Sequence, residues 1–210
     1  MARIAVDVDG TLAASLEKLM DYLNQDFGEE LEKYGFSDFS VQDIEGYYEW
    51  GEKFSSFGIT EDECIDILLN LWEDEYEDFD TIEPVEYVKE NLKELNERYG
   101  ADIVTANHHS EPIQAWLEYN GIKQGEHFGH FISTSRDFDE DIEKSELGYE
   151  YFIDDRAPLA DSLRDGQLLL LYSRPYNLRN GEDEHPKIRR VDSLYHASNI
   201  IERSENGAEI

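Results

Sequence analysis

Five short apolar runs recur along the chain: Ile4 to Val8, "ADIVTA" (101–106), "HFISTS" (130–135), "YEYFIDD" (149–155) and "GQLLLLYS" (166–173). Segments with helical spacing lie between them. After Pro84, at a first helical position, Val85, Val88, Leu92 and Leu95 form a buried stripe, and Gly100 sits where a C-terminal cap belongs. "SEPIQAWLEYNG" reads as a helix capped by Ser110, with Pro112 in its first turn and Gly121 after its end. Short helices are expected around Lys144 to Leu147 and Pro158 to Arg164. Parallel strands need long crossovers, and helices supply them. The repeated unit therefore predicts an α/β protein with a Rossmann-like parallel sheet covered by helices on both faces.

One stretch breaks the alternation. Leu16, Leu19, Met20, Leu23, Phe27 and Leu31 recur at helical spacing, which makes residues 15 to 33 an amphipathic helix. An aromatic-rich loop follows. Thr60 then opens a second helix, with Glu63 placed for a capping box and Ile65, Leu68, Leu69 and Trp72 on its apolar face. Residues 14–82 read as a small helical cap inserted after the first strand. Residues 1–13 and 83–210 form the core, ending in a frayed "SENGAEI".

The acidic residues number 50 against 18 basic ones, a formal charge of −32. Such a surface repels anionic partners, so long nucleic acids and membranes are poor ones. Acid spread evenly over a retained apolar pattern resembles a halophile protein, because at about 1 M salt the Debye length is only about 3 Å. The single Cys64 cannot form an intramolecular disulfide, and no signal-peptide pattern or membrane-length apolar run is present. A cytoplasmic protein is expected.

In an open parallel sheet, ligands sit at the carboxyl ends of the strands, where strand order reverses. The polar residues at those ends are Asp7, Asp9 and Thr11 after the first strand, Thr105 after the second, and Asp154 and Asp155 after "YFI". Lys144 precedes that last strand by one short turn. Four segments thus bring acids, a hydroxyl and a lysine to one edge.

These positions resemble the four motifs of the haloacid dehalogenase (HAD) superfamily of phosphotransferases: Asp7-Val8-Asp9-Gly10-Thr11, Thr105, Lys144 and Asp154-Asp155, in order. The resemblance implies an HAD-like core and a Mg²⁺-dependent phosphomonoesterase. Asp7 would be the nucleophile, forming an aspartyl-phosphate, and Asp9 the general acid and then base. The cation would be held by Asp7, Asp154 and the backbone carbonyl of Asp9. Asp155 would be a direct ligand, an acceptor through water, or a brace for Arg156. Thr105, the Ala106 N–H and Lys144 would hold the phosphoryl oxygens. Gly10 relaxes the turn and Thr11 helps lock it.

"DIVTANHHSEPIQAWLEYNGI", "FIDDRAPLAD" and "LYSRPYN" are similar to the 5'(3')-deoxyribonucleotidase-like group, which implies a small phosphorylated substrate, a nucleoside monophosphate. Tyr47, Tyr48, Trp50, Phe54 and Phe57 are candidates to stack on a base, with Trp72 beyond them. Asn107, His108 and Arg156 are candidate substrate contacts. His108 and His109 read as solvated loop residues, and by family analogy Arg174 fixes the tail. The alternatives are a phosphatase of another small metabolite or of nucleic-acid ends, and a non-enzymatic binding or scaffold protein on the same fold.

Overall fold

The computed structural model describes residues 4–33, 40–43, 60, 71–72, 82–135, 142–178 and 185–207. Its centre is a six-stranded parallel sheet in the order β3-β2-β1-β4-β5-β6. The strands are β1 (Ile4–Val6), β2 (Ala101–Thr105), β3 (Phe131–Ser133), β4 (Tyr151–Asp154), β5 (Leu168–Tyr172) and β6 (Ile188–Val191). The helices are α1 (Ser15–Lys33), α2 (Val88–Tyr99), α3 (Ser110–Tyr119), α4 (Leu159–Ser162) and α5 (Leu194–Glu205). Short 3-10 turns cover Lys144–Leu147 and Pro175–Asn177.

Strand periodicity decides which side chain meets which layer. Ile4, Val6, Ile103, Ile153 and Leu170 share one core with Leu92 and Leu95 of α2, Ile113 and Trp116 of α3, and Ala197 and Ile201 of α5. Their neighbours Ala5, Val104, Phe152, Leu169 and Leu171 point the other way, onto Tyr149, Ala160 and Leu163. Every residue of the central strands β1, β2 and β4 is buried, as expected of parallel strands covered on both faces. Leu16, Leu19, Met20, Leu23 and Leu31 of α1 are all buried.

Sheet order reverses at β1. Val6 pairs with Ile103 on one side and with Ile153 on the other. The Asp7 N–H continues the ladder to the Ile153 carbonyl at 2.9 Å. One step past this register, Asp7 and Asp154 stand side by side.

Several local expectations need correction. Pro84 is not a helix start. It pairs with Ala13 in an antiparallel bridge, and α2 begins four residues later behind Tyr87, whose φ is 56°. The bridge zips the exit and return of the segment between β1 and α2: Ala14 N–H donates to Glu83 O and Val85 N–H to Leu12 O, both at 2.9 Å. Ser110 is the first helical residue rather than the cap, and the Asn107 side chain instead accepts the His109 N–H at 2.9 Å. The C-terminal expectations hold, with Gly100 and Gly121 at φ 77° and 72°. The sequence reading missed β6 and α5. The helix expected from Thr60 lies almost wholly outside the described residues, although Leu71 and Trp72 are helical. Among the described residues, no helix is long and apolar enough to cross a membrane.

Candidate active site

The turn after β1 is built by its main chain. The N–H groups of Thr11, Leu12 and Ala13 all donate to the Val8 carbonyl, at 3.2, 2.8 and 2.9 Å, and the Gly10 N–H donates to Ala13 O at 2.9 Å. Gly10 adopts φ 71°, and a Cβ there would lie 2.3 Å from Asp155 Oδ2 and 2.5 Å from the Tyr176 hydroxyl. Only glycine meets both conditions. The Thr11 hydroxyl, expected to lock the turn, is buried with no hydrogen-bond partner among the described residues, and the turn is closed there by its main chain.

Asp7 is 6 % exposed. Lys144 Nζ donates to Asp7 Oδ1 at 2.6 Å and to Asp154 Oδ2 at 2.7 Å, so one buried ammonium bridges the ends of β1 and β4. Burial pushes the Asp7 carboxyl from 3.8 up to about 7, against the pull of Lys144 and with help from the Asp154 and Asp9 carboxylates. Burial also works against the Lys144 charge, but Asp154 and Asp7 outweigh it and hold the amine protonated well above its usual range.

Asp155 completes a buried trio. Oxygens of Asp7, Asp154 and Asp155 lie within 4.8 Å of one another. Burial first, then Asp154 and Asp7, raises the Asp155 carboxyl well above its ordinary value. Its Oδ2 accepts the Tyr176 hydroxyl, and Asn177 Nδ2 donates to its backbone carbonyl at 2.8 Å. The Arg156 N–H donates to Asp154 Oδ1 at 2.9 Å. Arg174 reaches Glu17 of α1, so it ties the loop after β5 to α1 instead of fixing the tail.

Asp9 sits one turn further out, with both carboxylate oxygens engaged. Trp72 Nε1 donates to Oδ1 at 2.9 Å and Asn107 Nδ2 to Oδ2 at 3.3 Å. Thr105 Oγ1 accepts the Asn107 N–H at 3.0 Å, and a hydroxyl that accepts in this way still has a proton to donate. Ala106, Thr134, Ser135, Lys144, Asp154 and Arg156 contribute to the lining of a cleft of about 620 Å³.

The sheet edge thus assembles Asp7, Asp9, Lys144, Asp154 and Asp155, with Thr105 and Ala106 at the end of β2. His109 is buried, not solvated; His108 is exposed and lies against it with ring centroids 3.9 Å apart and the rings tilted by 42°. Tyr47, Tyr48, Trp50, Phe54 and Phe57 lie outside the described residues. Trp72 is not placed as an open stacking surface: it is 2 % exposed and meets Trp116 edge-on at 5.7 Å. Its link to Asp9, and the bracing of Asp155 by Tyr176 and Asn177, were not read from the sequence. The "RPYN" segment was the available signal for the second.

A family model described as haloacid dehalogenase-like hydrolase matches residues 4–141. The chain belongs to this family. No curated protein matches this HAD hydrolase at a significant level. Its fold is similar to a conserved haloacid dehalogenase-like protein of unknown function from Agrobacterium tumefaciens, with TM-score 0.67, 13% identity, and 98% of this chain and 99% of that one covered. It is also similar to a predicted phosphoglycolate phosphatase from Haemophilus somnus, with TM-score 0.57, 20% identity and coverage of 96% and 98%. A third similar structure is an HAD phosphatase from Thermococcus onnurineus, with TM-score 0.56, 18% identity and coverage of 96% and 98%.

Proposed function

We propose that this HAD hydrolase is a Mg²⁺-dependent phosphomonoesterase acting on a nucleoside monophosphate through an aspartyl-phosphate on Asp7. The observation that carries the reading is the Lys144 ammonium bridging Asp7 Oδ1 and Asp154 Oδ2 at 2.6 and 2.7 Å, beside Asp9. Phosphate-ester hydrolysis needs a positioned nucleophile and compensation of anionic charge, and this edge offers both.

The donor set fits a divalent cation. Among the described residues, the trio of buried carboxyls outnumbers the one ammonium in contact with it, two of those carboxyls are pushed upward, and all the donors are hard oxygens. Asp7, Asp154 and Asp155, with the Asp9 carbonyl, would hold it. Bound there, Mg²⁺ supplies positive charge for the phosphoryl oxygens and the carboxylates. Lys144, Thr105 and the Ala106 N–H orient the phosphoryl group. Asp7 attacks phosphorus in line, Asp9 gives its proton to the departing oxygen, and Asp9 later takes a proton from the water that releases phosphate.

We read residues 14–82 as the cap, hinged at the zipped strands around Ala13 and Pro84 and shutting water out of the site. Similarity of "RPYN" and its flanks to the deoxyribonucleotidase-like group supports the nucleotide. The acid excess supports a small substrate over a polyanion and a working environment of high salt.

The test is phosphate release from ribo- and deoxynucleoside 5'- and 3'-monophosphates and sugar phosphates, with Mg²⁺ or EDTA, in dilute and molar KCl. Mg²⁺-dependent release favouring one nucleotide class is expected. Preference for a sugar phosphate would replace the nucleotide by another metabolite. No release by folded protein in molar salt would overturn the phosphomonoesterase reading.

A further inference from the structure

Asp9 is gripped by two donors from distant parts of the chain. Trp72 lies in the segment between β1 and α2, and Asn107 follows β2. Each donates to a different carboxylate oxygen, at 2.9 and 3.3 Å. The carboxyl group can therefore neither swing away nor rotate without losing a bond. Neither donor competes for the proton that Asp9 transfers, because an indole N–H and an amide NH₂ only donate.

The indole is itself fixed. Trp72 is 2 % exposed, its ring meets Trp116 at 81°, and Trp116 Nε1 donates to Ile82 O at 2.7 Å where the chain returns to the core. A fully packed ring that presents its one polar atom to a partly exposed carboxylate carries more than packing: a phenylalanine would fill nearly the same space without the bond. We infer that Trp72 is a positioning residue for Asp9, aiming its carboxyl at the leaving oxygen, so that proton delivery depends on a side chain outside the sheet.

This inference rests on the phosphomonoesterase reading. In the step concerned, an Asp7 oxygen bonds to phosphorus as the P–O ester bond breaks. The bond's electron pair goes to the leaving oxygen, which takes the Asp9 proton. Water then attacks phosphorus, returns a proton to Asp9, and frees inorganic phosphate and the Asp7 carboxylate. A good leaving group needs little of that proton, whereas a poor one depends on it.

The experiment compares kcat/KM, which reports steps through the first departure, for 4-nitrophenyl phosphate and phenyl phosphate with Mg²⁺ in molar KCl. Trp72→Phe should lose about 10-fold or more on phenyl phosphate and stay near wild type on 4-nitrophenyl phosphate. Trp116→Phe, which disturbs the packing but leaves the Asp9 bond, should lower neither selectively. In an Asp9→Ala background, Trp72→Phe should cost nothing further. Equal losses on both esters, or none, would overturn the inference alone. A wild type that releases phosphate from neither ester nor from any nucleoside monophosphate would remove the phosphomonoesterase reading and this inference with it. One that hydrolyses only the nucleotide should lose about 10-fold or more on it through Trp72→Phe and not through Trp116→Phe, and equal losses would overturn the inference alone. If Trp72→Phe does not fold, the contact is read in the wild type, where Asp9→Ala should move one indole N–H resonance of the three tryptophans. An unmoved set would reject the contact.

Discussion

At the scale of single residues, the proposed chemistry turns on Asp7 and the space around it. Asp7→Asn removes the proposed nucleophile but keeps nearly the same shape, so turnover should fall to background while the circular dichroism spectrum stays native; full activity would sink the aspartyl-phosphate. The same variant reads the electrostatics. In the folded, metal-free protein the Asp7 carboxyl is held at about 7, above its ordinary 3.8, so between those values the native state binds a proton that the unfolded chain has lost. Its contribution to stability is complete below about pH 4 and is lost as pH climbs to about 7. Asn lacks that titration. In EDTA and molar KCl, Asp7→Asn should therefore gain stability relative to wild type as pH rises through this window, by up to roughly 4 kcal/mol. Denaturant unfolding at several pH values checks this, and a constant difference would mean that Asp7 stays ionised beside Lys144. Gly10 is the second sensitive position. With φ 71° and Asp155 Oδ2 only 2.3 Å from a new Cβ, Gly10→Ala should cost about 2–4 kcal/mol and misplace Asp155. A variant as stable as wild type would show that the turn can relax.

At the scale of elements, the legible parts were those whose local pattern and tertiary role agree. The strands β1, β2, β4 and β5 are buried along nearly their whole length and read as predominantly apolar runs, with Asp102 the one polar residue inside β2, and α1 showed its face through Leu16, Leu19, Leu23 and Leu31. The edge strand β6 is "IRRV", with two half-buried arginines in the middle, so no apolar run marks it. Helix α5 carries helical spacing in Leu194, Ala197, Ile200 and Ile201, diluted by the polar residues between them. The candidate site acids were legible because each ends or closely follows a strand. The Trp72–Asp9 bond spans 63 positions and leaves no local trace. The turn after β5 lies between these cases: "RPYN" was visible as a motif, but its work is tertiary. Tyr176 donates to Asp155, and Asn177 ties Asp155 O to Tyr172 O while accepting from Arg190. Tyr176→Phe leaves a buried carboxyl without that donor, so it should destabilise the protein by about 1–3 kcal/mol and weaken Mg²⁺ binding about 10-fold or more. Thermal unfolding and a calorimetric Mg²⁺ titration measure the two effects. Unchanged Mg²⁺ affinity would remove Asp155 from the proposed ligand set.

At the scale of the whole molecule, the formal charge of −32 sets the conditions under which the rest can operate. The described ion pairs are few for so charged a surface, and several, such as Lys93–Glu126 and Arg98–Glu202, are substantially exposed. Pairs of that kind contribute little each. Most of the acidic surface therefore lacks the basic residues to balance it, and carboxylate repulsion works against the compact state. Salt acts on this term directly: the Debye length shrinks from about 10 Å at 0.1 M to about 3 Å at 1 M. The proposed site follows the same logic, since the phosphate substrate proposed above would approach through the field of these acids before Lys144 could hold it. Raising KCl from 0.1 to 2 M should raise the Tm and, separately, lower KM for an anionic substrate. The two effects are distinguished by measuring initial rates at a temperature well below the lowest Tm, where folding is complete at every salt concentration. A Tm that is flat or falls with KCl would show that the acidic surface is balanced by contacts other than screening, and would remove the argument for a high-salt environment. A rising Tm with constant KM would confine the field to folding and leave the entrance to the site electrostatically neutral.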